Sequence, residues 1–559
     1  MRGSVQHDLF RDLMLCAASA SLLFLGPLLD WALHPGSPLW LPWATMPDMG
    51  VYVAVFRRAA EGALLGDPFL WEHRIDPSSV FTVYAFWPSI FGRLIGAFGD
   101  GALPLAGWGL STLWFFGLFR LAKALSQSPA RAFATAGFAC FFSVNLAYNL
   151  NGYHFRFGAW NLGLSEHLRV YPTAAAMAVY ALAAWRLHAA VSAPSFWRIA
   201  AAGILVALSA LGRPFDWMVL VTAGFLLTGA LFLQRHPRSA RAALAATLLG
   251  SALAAPAVFR LALHQSRHAA AFEDLMWRGI YHAKSLLHYG KYTLALIVVT
   301  ALTILVFRNA LGGRRLREWP LAAVFPVVMV LGSLLPYFHT LPRQVTVTGF
   351  AYFFVFSFST WATIAAFQAW HLSADRRRPR ADAPWMAIAL LGLILAQQLS
   401  LGLGQRSRQA AHVVPRVLRD VYRGIREGTT ADCVILATRP GTEVIAATGR
   451  WVFSPTPVVA ALLSPTPTAE LLERALWAEY LLGGDLDSLA PLFEREGMAE
   501  YLSWKARQEE GTRTAVEGLE KRIGYNSFVF HPDLNRWDLR ARGLELPDSL
   551  KGQHDFVAW

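Results

Sequence analysis

Through its first 403 residues the chain alternates long apolar runs with short polar turns, and then it changes character. Apolar runs fall at about 12–33, 80–98, 102–125, 132–150, 171–191, 197–212, 215–233, 240–261, 290–307, 320–338, 349–371 and 384–403. Most are near the roughly 20 residues that a helix needs to cross the hydrocarbon core of a bilayer. None shows the ten-residue alternation of an outer-membrane barrel strand. The pattern predicts a polytopic α-helical membrane domain over 1–403. Beyond it, QAAHVVPRVLRDVYRGIRE at 409–427 predicts an interfacial helix, DCVILAT at 432–438 a strand and EVIAATGRWVFS at 443–454 a second strand. LLERALWAEYLLGGD has apolar residues at 471, 472, 475, 476 and 480, the spacing of a helix. The mixture predicts a small α/β domain over 404–559.

The polar turns set an orientation. Arg120, Lys123 and Arg131 form one basic cluster and Arg235, Arg238 and Arg241 another; RNALGGRRLR at 308–317 and DRRRPR at 375–380 are the strongest. Short Arg-rich turns stay on the inner side of a membrane. All of these clusters and the N-terminus share that side only if 80–98 does not cross. Pro88, Gly92 and Arg93 in that segment suit a re-entrant or interfacial helix instead. The expected topology has 11 spans, with the first loop, 34–101, and the tail from 404 outside. Arg2 and Arg11 precede the first run, which ends in LLDWALHPG without a small-x-small site, as in an uncleaved signal anchor.

Composition agrees. The chain is 55% apolar and 16% charged with mean hydropathy +0.37, against about 25% charged residues in soluble domains. The net charge of +13 is confined to one half: residues 1–404 hold 31 Lys and Arg against 16 Asp and Glu, and the remainder 19 against 21. The basic excess therefore belongs to membrane orientation, and the near-neutral tail carries no stripe for nucleic acid. The three cysteines form no CxxC or Cys/His spacing. There is no GxGxxG turn, P-loop or internal repeat.

The loop after the first run carries Asp48, Glu61, Asp67, Glu72 and Asp76, more carboxylates than a simple anchor or channel needs. Asp48, in TMPDMGVY, suits a general base that takes a proton from an alcohol. It also fits a capping box with Thr45, where it only satisfies helix N–H groups. Asp76, in WEHRIDPSS, is a second acid, a metal ligand or a sugar-hydroxyl acceptor, or an Asp-Pro turn residue; Asp67 in GDPF reads as a turn residue. The loop at 151–169 contributes His154, Arg156, Glu166, His167 and Arg169. Arg169 and Arg213 sit at outside mouths of spans, where positive charge is disfavoured, and Arg343 lies in a later outside turn. Each suits a phosphate, which a guanidinium fork grips through two parallel bonds. Asp216, three residues after Arg213, reads as its ion-pair partner.

These features together resemble the GT-C superfamily of membrane glycosyltransferases, which includes protein O-mannosyltransferases, lipid A aminoarabinose transferases and oligosaccharyltransferase catalytic subunits. The similar features are one span followed by an outside loop with Asp48 and Tyr52 in D-x-x-x-Y, then GDPF at 66–69 and a helical segment at 80–98. Arg169 before the span-starting Tyr171-Pro172, the later Arg343, and a soluble tail with TGRWVFSPTP also look like family features. The resemblance implies a sugar donor on polyprenyl phosphate, a glycan, lipid or protein acceptor, and inversion at the anomeric carbon. Asp48 would be the base, and Tyr52, Asp76, His154, Glu166, Arg169, Tyr171, Arg213 and Arg343 would bind substrate. Met49 replaces the second acid of the usual acidic pair, so Mg or Mn is left open and no metal ligand is assigned. No WWDYG-type motif is present, which argues against N-glycosylation.

Two rivals remain. An O-antigen-type polymerase or ligase would carry its key residues in a large late loop, whereas 339–349 is short. A lipid-linked-sugar transporter or flippase would show paired broken helices and internal repeats. The Ala-, Arg- and Trp-rich composition fits a bacterial inner membrane with the active face and tail in the periplasm.

Overall fold

The computed structural model describes residues 2–33, 47–61, 67, 69–70, 72, 86–98, 102–126, 128–142, 173–267, 286–340, 348–377, 392, 416–436, 444–445, 448–454, 468–481 and 556–558. The chain divides into two compact units. One comprises 1–36, 102–259 and 283–404; the other comprises 37–101, 260–282 and 405–559. The segment after the first apolar run thus belongs with the tail.

Among its described residues the first unit consists of helices joined by short turns. Its elements are α1 (Arg2–Leu33), then, after two helices of the other unit, α4 (Ala102–Ser126) and α5 (Pro129–Gly137) with a π-turn at Phe138–Phe142. There follow α6 (Ala175–Ser192), α7 (Phe196–Gly212), α8 (Pro214–Leu233), α9 (Pro237–Arg267, in this unit as far as residue 259), α10 (Leu286–Ala310), α11 (Leu321–Thr340) and α12 (Thr348–Arg377). Every apolar run of the sequence holds a helix except 384–403, which lies outside the described residues apart from residue 392. Starts follow from local chemistry. Ser195 accepts a hydrogen bond from the Arg198 N–H at the head of α7, and Pro129 and Pro214 occupy first-turn positions that need no N–H donor.

Four of these helices are long and apolar enough to cross a membrane: 102–126, 175–192, 214–233 and 237–259. Their contacts use small residues, as helices in lipid do when close backbone approach replaces the hydrophobic drive. A Cβ at Gly117 would lie 2.8 Å from the backbone of Ala181 and Leu182; one at Gly332 would lie 2.6 Å from the Ala223 Cβ. Gly203 meets Leu249, and Gly250 meets Val206. Buried aromatics fill the interior, including Phe115, Phe119, Phe133 and Phe141, while Ile204, Phe225, Phe232, Leu248, Leu302 and Leu305 point outward and exposed. This unit is therefore apolar inside and outside.

The basic turns gather at one end of it. The Ser239 hydroxyl donates to the Val191 carbonyl at the foot of α6, and Gln234 at the foot of α8 donates to the carbonyls of Leu316 and Trp319. At the same end Arg120 lies over the Trp185 ring, and Arg120 and Lys123 both hold Asp12, at 2.6 and 2.8 Å. The opposite end holds Arg213 at the junction of α7 and α8.

The second unit contains α2 (Pro47–Ala60), α3 (Phe86–Phe98), α13 (Arg416–Gly428), α14 (Thr468–Leu481) and a parallel sheet. Its strands are β1 (Val434–Leu436), β2 (Trp451–Val452) and β3 (Phe556–Ala558), in the order β2-β1-β3. Val434, Leu436, Trp451, Phe453, Ala478 and Leu481 form the core between sheet and α14. The second expected strand, 443–454, is corrected: Val444, Ile445 and Thr448 are helical and only Trp451–Val452 pair with β1. Gly449, at φ +72, breaks the run and turns the chain into β2. Within the segment 80–98, the described residues Phe86–Phe98 form the 13-residue α3, about 20 Å long at 1.5 Å per residue.

Candidate functional site

Helix α2 begins with Pro47 in its first position and Asp48 in its second. A carboxylate there is favoured by the positive end of the helix dipole. Tyr52 is four residues on, so the two stand on one face, and Tyr52 is half-buried. The stripe continues through Val55, Phe56 and Ala59, all buried. It packs on α3, with the Phe56 and Phe91 ring centroids 4.9 Å apart. Gly92 allows this approach, because a Cβ there would lie 2.7 Å from the Ala60 nitrogen and 2.8 Å from the Phe56 carbonyl oxygen.

The other end of α2 is fastened to the tail. Arg58, only 2% exposed, donates to the Glu61 carboxylate at 2.6 Å and to the Gly449 carbonyl at 3.2 Å. Its guanidinium carbon lies 3.6 Å from the centroid of the Trp451 ring. Burial pushes the Arg58 pKa below its ordinary value, and the Glu61 carboxylate opposes that push. The turn presenting Gly449 is itself held: Arg450 donates to the Thr429 hydroxyl and to the carbonyls of Arg426 and Thr429 at the end of α13.

Two further ties join the loop to the tail. Asp67 accepts from the N–H groups of Phe69 and Leu70 at 2.7 and 3.0 Å, making it the turn residue that its GDPF setting predicts. The Phe69 carbonyl accepts from the Val452 N–H in β2. Glu72 pairs with Arg474 on α14 at 3.4 Å, and Arg474 is shared with Glu470.

In the helical unit, the Arg213–Asp216 pair expected from the sequence forms. Arg213 Nε and Nη2 donate to the two Asp216 oxygens at 2.7 and 2.8 Å. Asp216 is fully buried and also accepts from the Ser357 hydroxyl on α12. Arg213 reaches the Met177 sulfur and faces the Phe356 ring. Nearby the Trp361 indole donates to the Tyr180 hydroxyl at 2.6 Å. The pair, Ser357 and Met177 tie together α6, α8 and α12 at the end opposite the basic turns.

Of the residues singled out in the sequence, the structure places Asp48 and Tyr52 on one helix face, and Arg213 against Asp216. Asp76, His154, Glu166, Arg169, Tyr171 and Arg343 lie outside the described residues. Among the described residues no group of three or more His, Cys, Asp or Glu side chains could hold a metal ion. Cys16, Cys140 and Cys433 are buried and unbridged. Sequence reasoning passed over Arg58, Trp451 and Arg474. The one available signal was an Arg57-Arg58 pair ending a short helix that has no like cluster at its other end.

Fold and composition together define a helical membrane protein. No protein-family model and no curated protein sequence matches the chain.

Proposed function

We propose that the chain is an integral-membrane glycosyltransferase of the GT-C type, moving a sugar from a polyprenyl-phosphate donor to an acceptor hydroxyl. The observation that carries this reading is the position of Asp48 and Tyr52. They share one face at the head of a short helix that follows the first long apolar helix and is braced at its far end by the tail. In this reading the carboxylate works at the membrane boundary, where a lipid-linked donor and a water-borne acceptor come together.

In this reading Asp48 accepts the acceptor's proton while the hydroxyl oxygen attacks the anomeric carbon. The bond to the phosphate oxygen breaks on the opposite face, so configuration inverts and polyprenyl phosphate leaves. Arg169 and Arg343 neutralise that phosphate, an electrostatic contribution realised most fully in the transition state. Arg213 is the third candidate phosphate ligand of this reading, and Asp216 fixes its guanidinium's direction. The reading includes 11 spans, with α3 lying along the interface and the active face and tail outside, in a bacterial cell envelope. The gathering of basic turns at the end opposite Arg213 supports that orientation.

The test is sugar transfer by purified protein in lipid across a panel of polyprenyl-phosphate sugars. Asp48→Asn should lower turnover by about 10²–10⁴-fold, the usual share of general-base catalysis, with donor affinity kept. Full activity in Asp48→Asn would remove Asp48 from the mechanism and move the base to Asp76 or Glu166. Donor binding without transfer in the wild type would favour a polymerase or flippase.

A further inference from the structure

The geometry points to a positioning role for Arg58: through it, the tail segment 448–453 sets where helix α2, and hence Asp48, stands. The inference rests on the proposed transferase reading for its catalytic consequence, but its structural half can be tested without substrate.

Three observations carry it. Arg58 is buried as an ionisable group on a 14-residue helix, and the tail supplies both a hydrogen-bond acceptor and an aromatic face to it. Glu61 supplies one carboxylate oxygen from the same segment, but the Gly449 carbonyl and the face of Trp451 come from almost 400 residues away. A guanidinium suits this socket, because it donates in its plane to Glu61 and Gly449 while stacking its face on the indole. Lysine, with a point charge and no plane, cannot do both.

The socket is also held rigid. Gly449 adopts φ +72, a conformation that presents its carbonyl and that other residues rarely take. Arg450 pins the same turn to α13, and the Trp451 and Val452 N–H groups donate to Cys433 in the tail and to Phe69. The tail therefore offers a fixed seat.

Asp48 is ten residues before Arg58, about 15 Å along the helix axis. α2 is also held on the α3 side by Phe56–Phe91 and by the close approach at Gly92. Two supports on different elements fix a rod; with only the α3 contact, α2 can pivot. A pivot at its C-terminal end moves the N-terminal end, where Asp48 stands, through the larger arc.

The experiment uses the full-length protein in lipid with Arg58→Lys, Trp451→Ala and Trp451→Phe. Hydrogen exchange is followed in α2 and, as a control, in β1 and α14, alongside donor affinity, kcat and KM for transfer. The expected result is faster exchange in α2 for Arg58→Lys and Trp451→Ala with β1 and α14 unchanged. Transfer should fall by about 100-fold in kcat, the scale of a 1 Å displacement of a catalytic group, with donor affinity unchanged and partial rescue in Trp451→Phe. Unchanged exchange in α2 would overturn the inference, as would faster exchange with kcat intact. If Trp451→Ala unfolds the unit, β1 and α14 lose protection too, and the comparison of Arg58→Lys with Trp451→Phe decides. If the wild type transfers no sugar, the transferase reading falls and the exchange data alone judge the coupling.

Discussion

A buried ion pair within an apolar bundle draws its strength from completeness. Arg213 and Asp216 are 3% and 0% exposed, and each loses its water to reach the other. Removing one partner leaves a charge without compensation, at about 3–5 kcal/mol, whereas replacing both by apolar residues of similar volume is often neutral. Asp216→Ala should therefore lower the thermal unfolding midpoint strongly in detergent or lipid. Arg213→Met combined with Asp216→Leu should recover most of the loss. The double variant separates two roles: if Arg213 also serves the donor phosphate, stability returns and donor affinity does not. A double variant no more stable than Asp216→Ala would show that the pair is held by something other than mutual neutralisation. This pairing was legible in GRPFDW, because both partners lie three residues apart at a helix start. Arg58 was not, because its seat is built by Gly449 and Trp451, and no local pattern encodes a contact across that distance.

At the scale of elements, the apolar runs and the helices correspond because a run near 20 residues in this composition has one way to satisfy its backbone in lipid. The tail was less legible. EVIAATGRWVFS carries β-favouring residues at both ends, yet Val444 and Ile445 are helical and the strand begins only after Gly449. Burial against β1 and α14, not intrinsic preference, decides where β2 starts, as strand propensity is largely a matter of packing context. The third strand, Phe556–Ala558, pairs parallel with β1 from the far end of the chain, and a three-residue strand leaves almost no periodicity to read. The α2–α3 contact is where element packing meets the proposed site. Gly92→Ala puts a methyl within 2.7–2.8 Å of Ala60 nitrogen, Ala59 Cβ and Phe56 oxygen, two of them backbone atoms that cannot rotate away. The helices must separate, costing about 1–3 kcal/mol. Exchange of the α2 amides should rise and transfer should fall in Gly92→Ala, whereas Gly109→Ala, with open space around its Cβ position, should change neither. Equal behaviour of the two variants would mean that α2 does not depend on α3 for its position.

For the whole molecule, orientation is the property from which the rest of the functional reading follows. The described contacts bring the turn at 311–320 beside the turn after α8, with Arg235, Arg238, Arg241, Arg314, Arg315 and Arg317 on one end of the helical unit. Positive charge in short turns is retained on the inner side, so the proposed orientation puts this end inward. Three apolar runs separate residue 316 from residue 427: 320–338, 349–371 and 384–403. If all three cross, the two positions face opposite compartments. The native cysteines are buried, so single cysteines can be introduced into the otherwise unaltered chain at the exposed positions Leu316 and Glu427. With a membrane-impermeant maleimide on intact, right-side-out membranes, Glu427→Cys should label and Leu316→Cys should label only after permeabilisation. Protection of both until permeabilisation would require an even number of crossings between them. The tail and α2, which form one compact unit, would then face inward with the basic turns, away from the side where a periplasmic transferase meets its acceptor.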